Sequence, residues 1–205
     1  MPSTSPPAST RKHAPPRTLS AIGASAHTER VSGLDVDFFG IPIPDEGPVF
    51  LVAVGVHIVA GIACVVSGIV AMVSRKGGRI HITFGRVYVG GIAVVFATMA
   101  VMAVIRWPLD NHLAVLGLIA LVATGLGFLN RRRHGSDTWH IFAMGVSYVA
   151  LLTAFYVDNG SALPVWSLLP PWVFWVLPTI VGAPLIAGAI GRRLSKRGPA
   201  KPTTH

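Results

Sequence analysis

Five continuous apolar runs dominate the chain, at residues 50–73, 87–105, 113–129, 141–157 and 172–190. At a rise of ~1.5 Å per residue these runs reach roughly 25 to 36 Å, the thickness of a hydrocarbon core of about 30 Å. They are continuous rather than alternating, so the pattern predicts helices and not the strands of a barrel. The expected fold class is all-α, a polytopic transmembrane helical bundle of about five spans. The third run is the weakest, being short and carrying Gly117, Gly125 and Gly127. The fifth holds Pro178 and Pro184, which predict a kink or break.

Helical spacing sorts the first run into faces. His57, Gly61, Cys64 and Gly68 fall at i, i+4, i+7 and i+11, flanked by Ala53, Ala60, Ser67 and Ala71, so one face is small and polar. Val54, Ile58, Ile62, Val65 and Ile69 form the expected lipid-facing surface. The second run offers a small-residue line at Gly90, Ala93, Ala97 and Ala100, which predicts close packing of the two spans as a hairpin. His57 then points into the bundle, roughly 6 Å from the midplane. An ionisable group there marks a functional position, although a neutral imidazole bonded to a neighbouring hydroxyl or carbonyl explains it equally well.

Composition agrees with a bilayer protein: 205 residues, 52% hydrophobic and 12% charged, with a mean hydropathy of +0.61. The pattern divides the chain into a Pro/Ser/Thr-rich tail at 1–48, expected to be disordered, with an interfacial segment at 32–47; a helical bundle at 49–191; and a basic tail at 192–205. The formal net charge of +9 is concentrated between the runs. Arg75, Lys76, Arg79 and Arg86 lie between the first two; Arg131, Arg132 and Arg133 between the third and fourth; Arg192, Arg193, Lys196, Arg197 and Lys201 after the fifth. The opposite loops hold only Arg106. By the positive-inside rule, this predicts an N-terminus outside, a C-terminus in the cytoplasm, and attraction of the basic loops to anionic lipid headgroups. Nucleic-acid binding is not expected, because no aromatic stacking positions interleave the basic residues. Arginine outnumbers lysine and Ala, Gly and Val abound, as in bacterial sequences of high-GC genomes, and the expected location is a bacterial cytoplasmic membrane.

Cys64 is the sole cysteine, which excludes an intrachain disulfide and paired-thiol zinc sites. No GxSxG, HExxH or P-loop pattern occurs, so hydrolytic catalysis has no support. Chemistry therefore has to come from histidine and tyrosine. "SRKGGRIHITFGRVYVGG", at 74–91, sets His81, Gly85, Arg86 and Tyr88 after a glycine turn between basic residues. Together with "HIVAG" at 57–61, it resembles the uncharacterised bacterial membrane proteins of the domain-of-unknown-function 2306 family, through His57, Arg75, Lys76, Gly77, Gly78, His81, Gly85, Arg86 and Tyr88. The resemblance covers the first two spans closely and implies a multi-pass membrane fold. It lends no activity. Where that family has a further basic residue after the loop histidine, this chain has Ile82 and Thr83.

A parallel plan recurs in "NRRRHGSDTWHIFAMGVSYV", at 130–149, where an Arg-rich loop leads to His140, Ser147 and Tyr148. His81 to Tyr88 is seven residues and His140 to Tyr148 is eight, which suggests two hairpins related by a parallel repeat, although the positive-inside rule imposes basic loops on both and explains the likeness equally well. Candidate site residues are therefore His57, His81, Arg86, Tyr88, His140 and Tyr148. Three readings follow: an accessory or interaction protein with an intramembrane histidine-bearing cavity, a haem-binding electron-transfer protein, and a small-molecule or proton-linked transporter. For haem, the pairs on one side of the midplane are His57 with His112 and His81 with His140, each expected to differ in depth by roughly 7 to 9 Å if the helices match the apolar runs.

Overall fold

A computed structural model describes residues 36–38, 41–43, 47–164 and 166–195. Most of the tail expected to be disordered, and residues 196–205 of the basic tail, lie outside these. The short strands β1 (Val36–Phe38) and β2 (Ile41–Ile43) pair antiparallel with Phe38 opposite Ile41, an element that hydropathy did not foretell. Helices α1 (Pro48–Val73), α2 (Arg79–Ile105), α3 (Asn111–Arg132), α4 (Asp137–Asn159) and α5 (Trp172–Ser195) follow. All five are long and apolar enough to cross a membrane, and the protein is a multi-pass helical membrane protein.

Helices α2 to α5 run beyond the apolar runs at the ends that carry the basic loops, whereas α1 stops at Val73 with its run. Helix α2 begins at Arg79, a full two turns before the run at 87–105. The edge of an apolar run marks where hydrocarbon begins, whereas the backbone keeps its helical hydrogen bonds through the headgroup layer. Helix α5 continues through Pro178 and Pro184 without the break expected there.

Packing joins α1 to α2, α3 to α4, α2 to α3, and α5 to α4. The small face of α1 is the buried one: Ala53, Cys64, Ser67 and Gly68 are all covered. The outward face is rotated from the one expected. Val52, Val59, Ile62, Val66 and Ile69 are exposed, while Val54 and Val65 pack against the core. The close approach on α2 is also shifted by one residue. A Cβ at Gly91 would fall 2.5 Å from Cys64 Sγ, whereas Gly61 and Gly90 have open space around them. Gly90, Ala93 and Ala97 therefore face outward and do not line the hairpin seam. A one-residue shift turns a helix by about 100°, enough to exchange one small-residue line for its neighbour.

Candidate functional site

The two basic loops are built to hold a histidine each. In the first, Gly77 takes a positive φ of 79°, a backbone region that glycine enters without steric cost. The chain thereby reverses, and the Lys76 ammonium donates to the carbonyls of Met72 at 2.8 Å and Ala71 at 3.3 Å, capping the end of α1. Burial in this turn lowers the pKa of Lys76 from its ordinary value. His81, in the first turn of α2, donates from Nδ1 to the same Ala71 oxygen at 2.8 Å. The Ser74 hydroxyl donates to that carbonyl as well, at 3.2 Å, so the His81 bond is the shortest of three.

The second loop reaches the same result with different residues. His134 has a positive φ of 55°, Asn130 Nδ2 donates to Ser136 O at 2.7 Å, and Gly135 N donates to Asn130 O at 2.8 Å. Asp137, at the start of α4, pairs with Arg131 of α3 and Arg193 of α5, which ties three helix ends together. His140, in the first turn of α4, donates from Nδ1 to Gly127 O at 2.9 Å.

The two hairpins bring His81 and His140 together edge-on, with ring centroids 6.4 Å apart and planes at 78°. The depth mismatch expected for this pair does not exist. Both residues sit in the first turn of helices that start at the same end of the bundle, and the apolar runs had placed those starts too late. A carbonyl oxygen only accepts, so each Nδ1 carries a proton and, in the neutral ring, each Nε2 keeps a lone pair.

Deeper in the bundle, a hydroxyl cluster joins the hairpins. Tyr88 OH lies 2.9 Å from Ser147 Oγ, and Ser147 Oγ lies 2.5 Å from Thr124 Oγ1. Tyr148 OH donates to Val65 O of α1 at 3.2 Å, and the two tyrosine rings are 6.2 Å apart. Tyr88, Ser147 and Thr124 are each at most 2% exposed, so these hydrogen bonds satisfy groups that lipid could not.

The other candidates fall elsewhere. His57 Nδ1 lies 2.9 Å from Thr98 Oγ1 on α2, and the Thr98 hydroxyl in turn reaches the Val94 and Val95 carbonyls at 2.9 and 3.0 Å. His112 packs on Trp175 of α5, with centroids 5.9 Å apart, rather than on His57. Arg86 is exposed on the outer face of α2. Thr98 and Thr124 are the site residues that sequence reasoning missed; each is a lone hydroxyl in an apolar stretch, and that isolation was the available signal. A groove of about 560 Å³ lies between α3, α4 and α5 and is lined mostly by apolar residues such as Phe142, Val146 and Ile186; His57 is not among them. His57 is half-buried at the contact of α1 with α2, bonded to Thr98. Removing either partner is expected to lower stability by ~0.5 to 1 kcal/mol. Unfolding of His57→Ala, Thr98→Ala and the double variant would check this; simple addition of the two single effects would mean that the bond contributes nothing.

No family model, curated protein or solved structure matches the chain, so its own residues carry the functional reading.

Proposed function

We propose that this is an electron-transfer protein of the bacterial cytoplasmic membrane that holds haem between His81 and His140, with its basic loops on the cytoplasmic side. The observation that carries the reading is the histidine pair itself: two imidazoles from different helices, 6.4 Å apart by centroid, each oriented by a backbone carbonyl on Nδ1. Metal-ligating histidines are held in this way, with the second ring nitrogen bonded to a carbonyl or carboxylate. Two imidazoles sharing one metal ion at bonds of about 2 Å have centroids roughly 6 Å apart.

The surroundings favour haem over a bare cation. No group of three or more His, Cys, Asp or Glu side chains assembles among the described residues, so a lone metal ion would lack ligands. Among the described residues, the acid at this end is Asp137, which pairs with two arginines. Haem would need only two protein ligands, which His81 and His140 would supply, and its carboxylates would be complemented by the basic charge that Arg75, Lys76 and Arg131 bring to these loops. When bound, it supplies one-electron chemistry by cycling its iron between ferric and ferrous states. The chain's own residues hold the imidazole tautomers, and the Tyr88–Ser147–Thr124 cluster fixes the spacing of the hairpins above the pair.

The test is a visible spectrum of the detergent-purified protein, oxidised and then reduced with dithionite. A Soret band that shifts on reduction is expected, absent from His81→Ala and His140→Ala and retained in His57→Ala. A colourless, folded wild type supplied with haem would overturn the reading. That outcome would leave an accessory or interaction protein, which the tightly packed small residues of the α1–α2 seam support.

A further inference from the structure

The outward face of α2 carries charge where it should be apolar. Arg86 lies seven residues into the helix, which puts its Cα ~10 Å past that of Arg79 toward the hydrocarbon. It is exposed, and among the described residues it has neither an ion pair nor a hydrogen bond. A guanidinium facing lipid at that depth extends along the helix toward the headgroups, because leaving it in hydrocarbon is costly. Arg79 and Thr83 stand on the same face, at i−7 and i−3 from Arg86, and both are exposed. Two unpaired guanidiniums and a hydroxyl thus line one stripe at the level of the headgroups.

Below Arg86 the stripe changes character. Gly90, Ala93 and Ala97 follow at i+4, i+7 and i+11, all exposed, and nothing lies within 4 Å of a Cβ placed at Gly90. The helix surface is therefore shallow directly beneath a cationic head, as a headgroup with its acyl chain requires. A second copy of this chain is the poorer occupant, because a symmetric contact through the stripe would bring Arg86 against Arg86 with no acid to separate them.

We propose that Arg79, Thr83 and Arg86 form a binding site for the phosphate of an anionic phospholipid, whose acyl chain lies along Gly90, Ala93 and Ala97. The arginines give bidentate hydrogen bonds to phosphate oxygens, and Thr83 gives a third donor. The site is independent of the histidine pair and of any haem. It also accounts for Arg86, which the hairpin packing leaves without a role.

The experiment is native mass spectrometry of the full-length protein in detergent, titrated with phosphatidylglycerol or phosphatidylcholine of matched chains. The wild type is expected to bind phosphatidylglycerol with a preference that falls about fivefold in Arg86→Gln and again in Arg79→Gln, from roughly 1 kcal/mol per basic residue near an anionic surface. Arg86→Lys, which keeps the charge, should retain part of the preference and shows that the site is folded. An unchanged preference in Arg86→Gln would overturn the proposal. So would competition by millimolar inorganic phosphate, which would indicate a free-anion site, or a dimer in the wild type that dissociates in Arg86→Gln, which would indicate a second copy.

Discussion

Tyr88→Ala is expected to lower the stability of the bundle by about 3 to 5 kcal/mol, the largest effect of any single truncation in the core. The ring is 2% exposed and lies among Cys64, Ile92, Ala120 and Leu151, residues drawn from all four helices of the two hairpins. Its removal leaves a cavity that these small neighbours cannot fill, and takes from Ser147 one of its two hydroxyl partners. Tyr88→Phe separates the two contributions, because it keeps the ring and deletes only the hydroxyl, for a loss of ~1 kcal/mol. Unfolding in mixed micelles with increasing sodium dodecyl sulfate, followed by circular dichroism, measures both. If the alanine variant fell within 1 kcal/mol of the phenylalanine variant, packing would not be what holds the hairpins together.

Gly68→Val is the second large effect, a loss of about 3 kcal/mol or failure to fold. A Cβ at Gly68 would sit 2.5 and 2.8 Å from Tyr148 ring atoms and 3.3 Å from Tyr88. Neither ring is free to swing away. Tyr148 is bonded at its far end to Val65 O and Tyr88 to Ser147, so an inserted side chain has to part α1 from α4 or break those bonds. Gly61→Ala and Gly90→Ala are the controls, since both positions have open space. Each should be neutral or stabilising by up to ~1 kcal/mol through helix propensity. The same unfolding assay reads all three; equal losses at positions 61, 68 and 90 would show that helix flexibility, and not tyrosine packing, is what glycine provides here.

The spans were legible in the sequence because hydropathy over ~20 residues is a local property that a bilayer imposes directly. The first-turn histidines His81 and His140 were legible as a parallel between the hairpins, but the tyrosines do not match. Seven residues separate His81 from Tyr88 and eight separate His140 from Tyr148, a turn of about 100°, and the residue seven after His140 is Ser147, which bonds Tyr88. The buried face of α1 was read from Ala53, Cys64, Ser67 and Gly68 by the same periodicity.

What the tertiary structure alone decided are quantities that depend on where helices begin and how they are rotated. The sequence pairs His81 with His140 but sets them at different depths, because the apolar edges lie inside the helix starts at Arg79 and Asp137. Gly91 rather than Gly90 proved to be the contact residue, because adjacent small residues give two lines about 100° apart and only the partner's position selects one. Thr98 and Thr124 became site residues through hydroxyl contacts to His57 and Ser147, which no spacing along one chain segment contains. By itself the sequence determined a five-span helical membrane protein, since that follows from local composition and period. Which histidine meets which, and which glycine admits a ring, follow from the approach of helices far apart in the chain.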